Sequence, residues 1–216
     1  MRIIALIGSK GGVGKTTLAL SLAVQAEQAG LPTVLLDLDP QGSAASWADA
    51  RGADTPPDVV PAQAPRLAGL LASAARQGAK LVVIDSPPNA DNAALAAAKA
   101  ADLVLIPCRP SALDLAAIAA SVRLAQEIAS KPVFVVLNAV VPRTMVADGA
   151  ERTLADAGLV IAPVRIHQRM DHVTPLGSGR VAAEWAPRSK AAEEIAALWA
   201  WADATMTASQ HASTTA

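Results

Sequence analysis

The chain has 216 residues, a length that suits one α/β domain with a sizeable core and requires no second domain. Its formal net charge of −1 excludes a generally basic, nucleic-acid-binding protein, so any such surface has to be a local patch. The single cysteine excludes an internal disulfide and a cysteine cluster for a metal, and no apolar stretch approaches the roughly 20 residues that span a bilayer.

The chain begins with an apolar run and a glycine-rich turn. Residues 3–7 form a β-branched run too short for a helix, which predicts a buried parallel strand. This strand stands where a signal peptide would be, and we therefore expect a cytoplasmic protein. The turn at residues 8–17 reads GSKGGVGKTT, and a predicted helix over 16–28 follows it. Strand, glycine-rich turn and helix in this order predict a phosphate-binding P-loop.

Each residue type in the turn has a chemical reason. Glycines allow positive φ and let backbone N–H groups approach an anion closely. Lys15 can reach the β- and γ-phosphate oxygens, and the Thr16 hydroxyl can ligate Mg²⁺. The predicted nucleotide-binding residues are Gly11, Gly12, Val13, Gly14, Lys15, Thr16 and Thr17. The loop departs from the general pattern, because Ser9 stands where a glycine is usual and a second lysine, Lys10, lies inside it.

Acidic residues follow two of the next strands. The strand predicted over 33–36 is followed by Asp37 and Asp39, and the strand predicted over 81–84 is followed by Asp85. Because ligands bind at the carboxyl ends of parallel strands, these acids are expected beside the P-loop. An apolar strand ending in one acid is the Walker B arrangement, which predicts that Asp85 faces Mg²⁺. For Asp39, turn formation or helix capping is an equally good interpretation on this motif alone.

The rest of the chain alternates strands and helices. Residues 51–66, with their prolines, indicate a surface connection. Helices are predicted over 66–77, 91–100, 113–129, 145–157 and 187–202, and strands over 103–106, 133–137 and 159–161. The pattern predicts an α/β, single-domain P-loop NTPase fold, a mostly parallel twisted sheet with helices on both faces. We predict that this domain spans residues 1–205 and that 206–216 form a disordered tail.

Basic residues are concentrated near the end of the chain, at Arg165, Arg169, Arg180, Arg188 and Lys190. Two acids lie among these five cations, which leaves a net charge of +3. From charge alone a solvated face is a better interpretation than a binding surface. The nearby tryptophans are predicted to pack in the core rather than to stack on bases: Trp185, Trp199 and Trp201.

The motifs together resemble those of a known family. The stretches that carry the resemblance are 10–17 (KGGVGKTT), 37–42 (DLDPQG), 84–88 (IDSPP), 102–107 (DLVLIP) and 186–191 (APRSKA). With the second lysine in the loop, they resemble the deviant Walker A ATPases of the ParA/MinD family. The short chain is most similar to short ParA proteins, the ParF-like partition ATPases.

The resemblance implies a role for several residues. ATP and Mg²⁺ would bind between two copies of the chain in a sandwich dimer, in which Lys10 crosses to the partner's phosphates. Asp39 matches the carboxylate that orients the attacking water, so the implied catalytic residues are Lys10, Lys15 and Asp39. The implied metal site consists of Thr16, Asp37 and Asp85. Asn138 and the stretch after Pro163 correspond to the adenine pocket.

The resemblance also implies partners. Proteins of this type bind DNA non-specifically as ATP dimers, which raises the basic segment to a candidate DNA surface and makes the protein nucleoid-associated. A ParB-like or other cargo adaptor would stimulate hydrolysis, while the cargo, a plasmid or a protein cluster, stays open. The alternative is a MinD-like membrane switch. It requires a basic amphipathic C-terminal helix, and residues 191–216 contain no Lys or Arg, so no membrane partner is expected.

Overall fold

The computed structural model describes residues 1–88, 91–128 and 131–214. Its centre is a six-stranded sheet in the order β3-β2-β4-β1-β5-β6, in which every pair of neighbouring strands is parallel. The strands are β1 (Arg2–Leu6), β2 (Thr33–Asp37), β3 (Asp58–Pro61), β4 (Leu81–Asp85), β5 (Leu103–Cys108) and β6 (Val133–Leu137). The predicted parallel α/β fold is therefore confirmed.

Helices connect the strands and cover both faces of the sheet. They are α1 (Lys15–Gln28), α2 (Ser43–Arg51), α3 (Leu67–Arg76), α4 (Asp91–Ala100), α5 (Ala112–Ile128), α6 (Val146–Asp156), α7 (Ala182–Trp185) and α8 (Lys190–Thr214). One aliphatic core lies between the sheet and α3 to α6, and a second between the sheet and α1, α2 and α8. The central strands are buried on both sides, which is why they are continuous apolar runs rather than alternating ones.

The register of the parallel strands places the predicted functional residues at one edge. Asp37 lies opposite Asp85 in the β2–β4 pair, and Leu6 lies opposite Asp85 in the β1–β4 pair. The chain leaves β1 at Leu6 and enters the P-loop directly afterwards. Two acids and the phosphate loop therefore meet where parallel strands end.

Three segments differ from the prediction. Residues 51–66 contain β3, a half-exposed strand at the edge of the sheet that pairs with β2. It ends in Pro61, which is tolerated because an edge strand requires fewer ladder hydrogen bonds. Helix α2 was not predicted, because its sequence has little apolar periodicity. The strand predicted over 159–161 is reduced to a single bridge between Val135 and Ile161.

The C-terminal region also differs. Helix α8 continues through 206–214, where a disordered tail was predicted, and residues 215 and 216 lie outside the described residues. Met206 is fully buried in the second core, so the helix has an apolar reason to continue. Trp199 is buried and Trp201 packs edge-to-face on Phe134 at 4.8 Å between ring centroids, as predicted for packing residues. Trp185, by contrast, is 49% exposed.

Candidate nucleotide-binding site

The P-loop is held in place by the end of β6. Gly12 and Gly14 have φ values of +71° and +95°, which side chains rarely adopt. A Cβ at Gly14 would overlap the amide nitrogen of Asn138. That nitrogen donates a 2.7 Å hydrogen bond to the carbonyl of Val13. Asn138, predicted at the adenine pocket, therefore also fixes the loop, a role that the sequence did not indicate.

Lys15 lies inside the loop with its charge only partly satisfied. It is 6% exposed, and its Nζ donates a 3.0 Å hydrogen bond to the carbonyl of Lys10. Burial lowers the pKa of Lys15, while the charges of Asp85 and Asp39 act in the opposite direction. An ammonium has three donors, so this group can bind further acceptors such as phosphate oxygens.

Asp85 is fully buried beside the helix that follows the loop. Its Oδ2 accepts a 2.6 Å hydrogen bond from the hydroxyl of Thr16, and its Oδ1 has no hydrogen-bond partner among the described residues. Burial raises the pKa of Asp85 to about 7, against the effect of the Thr16 hydrogen bond. A buried carboxylate oxygen without a donor suits a cation. Thr16 and Asp85 therefore fit the predicted Mg²⁺.

Asp37 lies next to Asp85 but its carboxylate is already engaged. Oδ1 accepts a 3.0 Å hydrogen bond from the amide of Asp39, and Oδ2 accepts bonds of 3.1 and 3.3 Å from the amides of Ala44 and Ala45. It thereby caps the first turn of α2, where backbone amides lack intrahelical partners. Three backbone amides thus take most of the acceptor positions of the Asp37 carboxylate, which leaves about one for the predicted Mg²⁺ or for a water on it.

Asp39 forms the turn that one of the two interpretations predicted. Its Oδ1 accepts a 2.9 Å hydrogen bond from the amide of Gln41, and its carbonyl accepts one from Gly42, so it does form a turn. It is half-buried, and its charge acts on Lys15 and Asp85. The turn therefore fixes a carboxylate at the edge of the phosphate site.

Lys10 points away from Lys15 to helix α5. Its Nζ lies 2.7 Å from Oδ1 of Asp114 and donates a 2.8 Å hydrogen bond to the carbonyl of Leu113. The hydrogen bonds from Lys10 and Ser111 lower the pKa of Asp114. Asp114 was missed from the sequence, because it lies 104 residues from its partner and belongs to no motif.

A cleft opens beside the loop. Its lining includes the loop residues Gly12, Gly14 and Thr17, together with Asn138 and the segment 166–169, which contains part of the stretch predicted at the adenine pocket. Thus most of the predicted nucleotide-binding residues gather here or at the acids. Val13 is buried and faces the interior instead, with its carbonyl bound by Asn138.

A polar cluster lies behind this cleft, around Glu194 of α8. Glu194 binds Nδ1 of His167 at 2.9 Å and Nη2 of Arg169 at 2.7 Å. Burial acts to raise the pKa of Glu194, but the hydrogen bonds from Arg169 and from the His167 amide hold this pKa below its usual value. His172, which also lines the cleft, is 7% exposed, and neither ring nitrogen has a hydrogen-bond partner among the described residues.

The predicted DNA residues do not form one free basic surface. Arg165 binds Asp148 and Glu151 of α6 at 2.8 and 2.6 Å, and Arg169 binds Glu194. Lys190 pairs with an exposed neighbour on its own helix. The two remaining cations are Arg180 and Arg188. Both are exposed, and neither has an ion-pair partner among the described side chains.

The absence of two other features bears on the site. The described residues contain no group of three or more His, Cys, Asp or Glu side chains placed to hold a metal. Within the same residues, no helix has both the length and the apolar composition that crossing a bilayer demands.

Known proteins match both the loop and the fold. Residues 4–58 match the family described as the CobQ/CobB/MinD/ParA nucleotide binding domain. The chain is 44% identical over 92 residues to the maintenance of carboxysome distribution protein A of Gloeobacter kilaueensis, covering 43% of this chain and 41% of that protein. It is 54% identical over 46 residues to the chromosome-partitioning ATPase Soj of Thermus thermophilus, covering 21% of this chain and 18% of Soj.

The cell division ATPase MinD of Pyrococcus furiosus has a similar structure, with a TM-score of 0.75 at 19% identity over 94% of this chain and 98% of MinD. This likeness shows that the chain shares the α/β fold of MinD. The family match over residues 4–58 and the two relatives confirm the resemblance to the ParA/MinD family. The matched segments span less than half the length of either relative.

Proposed function

We propose that the protein is a Mg²⁺-dependent ATPase of the ParA type, which uses ATP binding and hydrolysis to control the position of a cargo. The observation that carries this proposal is the arrangement at the carboxyl edge of the sheet. A buried lysine with spare donors lies within the glycine-rich loop, and a buried carboxylate, with one oxygen unpartnered among the described residues, lies beside the helix that follows the loop.

The residues divide the work between binding and hydrolysis. Lys15 binds the β- and γ-phosphate oxygens, and Thr16 with Asp85 holds Mg²⁺, which neutralises phosphate charge when bound. Asp37 fixes α2 and the turn that carries Asp39. Asp39 accepts a hydrogen bond from the attacking water and orients its oxygen toward the γ-phosphorus. The new P–O bond forms as the bond to the bridging oxygen breaks, and the water's proton passes to phosphate or solvent.

The proposal includes an ATP-bound sandwich dimer to which each Lys10 contributes across the interface. Within one chain Lys10 is bound to Asp114, with side-chain exposures of 38% and 15%. A pair this accessible to water contributes only about 1 kcal/mol or less. Lys10 can therefore exchange Asp114 for a more highly charged partner, such as the phosphates of ATP.

The names of the two relatives support a positioning role, since one distributes carboxysomes and the other partitions chromosomes. We propose that the ATP dimer binds DNA non-specifically and carries either a plasmid or a protein cluster. A ParB-like or other adaptor would stimulate hydrolysis and so release the dimer from DNA. Arg180 and Arg188 support the DNA surface, because both are exposed and unpaired among the described side chains.

The test compares the wild type with Asp39→Ala. The variant should bind ATP and dimerise in its presence, but its turnover should fall by about 100-fold because the water is no longer oriented. Phosphate release gives the turnover, and light scattering after size exclusion gives the dimer. Asp156→Ala, which removes an exposed acid at the end of α6, should behave as wild type.

Two outcomes would contradict the proposal. Normal turnover in Asp39→Ala would show that another group positions the water. DNA and anionic vesicles are then offered to the wild type with ATP, with ADP and without nucleotide. Binding to vesicles but not to DNA in the ATP state would favour the MinD-like alternative.

A further inference from the structure

Arg109 lies beside the P-loop although it belongs to none of the motifs that predict the site. It directly follows β5 and precedes Pro110, whose ring limits backbone freedom there. Its Nη2 donates a hydrogen bond to the carbonyl of Gly12, 97 residues earlier in the chain. The end of β5 therefore delivers a guanidinium to the surface of the phosphate loop.

The charge of Arg109 is not neutralised in the described part of the chain. Its partner at the loop is a neutral carbonyl, and no described carboxylate lies within ion-pair distance. Asp114 is the nearby acid that its charge affects, but Asp114 is already bound by Lys10 and Ser111. Arg109 is exposed, so an arriving anion can reach it without a rearrangement of the core.

The position of Arg109 relative to the cleft indicates which anion. Arg109 lines the cleft with Gly12, Gly14 and Thr17, the loop residues whose backbone amides cradle the α- and β-phosphates in a P-loop. A Cβ at Gly12 would lie 3.8 Å from Nη2 of Arg109. A guanidinium carries five N–H donors in a planar fork, so the bond to Gly12 leaves donors for phosphate oxygens.

We propose that Arg109 is a further phosphate-binding residue, which donates hydrogen bonds to the α- or β-phosphate of the bound nucleotide. The inference rests on the proposed function, because it takes the cleft to be the nucleotide pocket. It assigns different tasks to the three cations at the loop. Lys15 binds from inside the loop and Lys10 is committed to α5 within one chain, whereas Arg109 binds from the outer side.

The test measures the Kd of MgATP, MgADP and adenosine by calorimetry for Arg109→Gln, Arg109→Lys and the wild type. Loss of a charge-assisted hydrogen bond should raise the Kd of MgATP and MgADP by about tenfold or more in Arg109→Gln. Adenosine, which has no phosphate, should bind all three proteins equally. Arg109→Lys should lie between, since it keeps the charge but loses the fork.

Arg76→Gln is the matched control, because α3 ends at Arg76 before β4 begins, at the edge of the sheet opposite the P-loop. It should bind nucleotide as wild type does. Far-ultraviolet circular dichroism of each variant checks that it is folded. Equal Kd values for wild type and Arg109→Gln would overturn the inference while leaving the proposed function intact. A wild type that binds no nucleotide would overturn both.

Discussion

The P-loop and the basic segment over 165–190 differ in whether their charged side chains have ion-pair partners. In the first, Lys15 binds only a backbone carbonyl and Asp85 keeps one oxygen unpartnered among the described residues. In the second, Arg165 and Arg169 are neutralised by acids from α6 and α8. The charged groups of the loop are thus left for a ligand, whereas the segment that looked basic in sequence is largely used to hold the fold together.

The difference teaches how far a local count of charge can be used. The count of +3 over 165–190 excluded Asp148, Glu151 and Glu194, because they lie outside that window. These acids come from neighbouring helices and reach the arginines only in the fold. Surface potential is a property of the folded chain, and a basic run becomes a binding surface only where its partners are absent.

The largest effect expected at the loop is that of Lys15→Ala. The substitution removes a buried charge that Lys10 does not replace, because Lys10 is bound to Asp114, so the affinity for MgATP should fall by about 100-fold. Calorimetry with MgATP and MgADP measures the loss. Lys80→Ala removes an exposed lysine just before β4, at the far edge of the sheet, and should leave the affinity unchanged. Tight ATP binding by Lys15→Ala would remove the P-loop assignment.

The basic segment is tested with two double variants. Arg180→Gln with Arg188→Gln should weaken DNA binding in the ATP state by about tenfold. The slope of the logarithm of affinity against the logarithm of salt concentration should fall by the amount expected for about two phosphate contacts per subunit. Arg165→Gln with Arg169→Gln removes the same charge, but from residues already bound to acids, and should flatten the salt dependence less. Fluorescence anisotropy with labelled duplex over a salt series measures both.

Equal slopes for the two double variants would mean that the ion pairs open on DNA, and the comparison between paired and unpaired arginines would then fail. An unchanged slope in Arg180→Gln with Arg188→Gln would move the DNA surface elsewhere on the dimer. Thermal unfolding of each protein separates a lost contact from a lost fold, which matters most for the half-buried pair of Arg169 and Glu194.

Much of the loop region could be predicted from sequence because its information is local. The order of apolar run, glycine-rich turn and helix fixes the P-loop, and an acid directly after a buried strand lies at the carboxyl edge of any parallel sheet. That is why Lys15, Thr16 and Asp85 are found where they were expected. Their roles in binding remain predictions until the variants are measured.

The remainder depends on contacts between distant residues. Asp114 lies 104 residues from its partner Lys10, and Arg109 lies 97 residues from Gly12. Glu194 lies 27 residues from His167, and no sequence pattern connects any of these pairs. The cap that Asp37 provides could have been suggested, since an acid near the start of a helix is a usual cap, but α2 itself was not predicted. Trp185 was misplaced because helical spacing does not say which side of a short helix faces solvent.

The smallest effect concerns His172, whose imidazole is buried beside Glu194, Arg169 and Asp171. Burial lowers the pKa of His172 below 6.5, against the pull of Glu194, so the folded state favours the neutral ring. The contribution of His172 to the free energy of unfolding is fully present above pH 6.5. It is lost as the pH falls toward the folded-state pKa, because the unfolded chain then binds the proton more readily. Glu194, with its lowered pKa, loses its own contribution only in more acidic solution.

Between about pH 7.5 and about pH 5 the Tm of the wild type should therefore fall by about 3 °C more than that of His172→Gln. Calorimetric scans at fixed ionic strength measure the difference. His211→Gln removes the same residue type near the end of the chain and should keep the wild-type dependence on pH. If His172→Gln keeps the wild-type dependence of Tm on pH, a different group titrates. The polar cluster behind the cleft would then resemble the paired arginines rather than the loop, because its charges are satisfied within the fold.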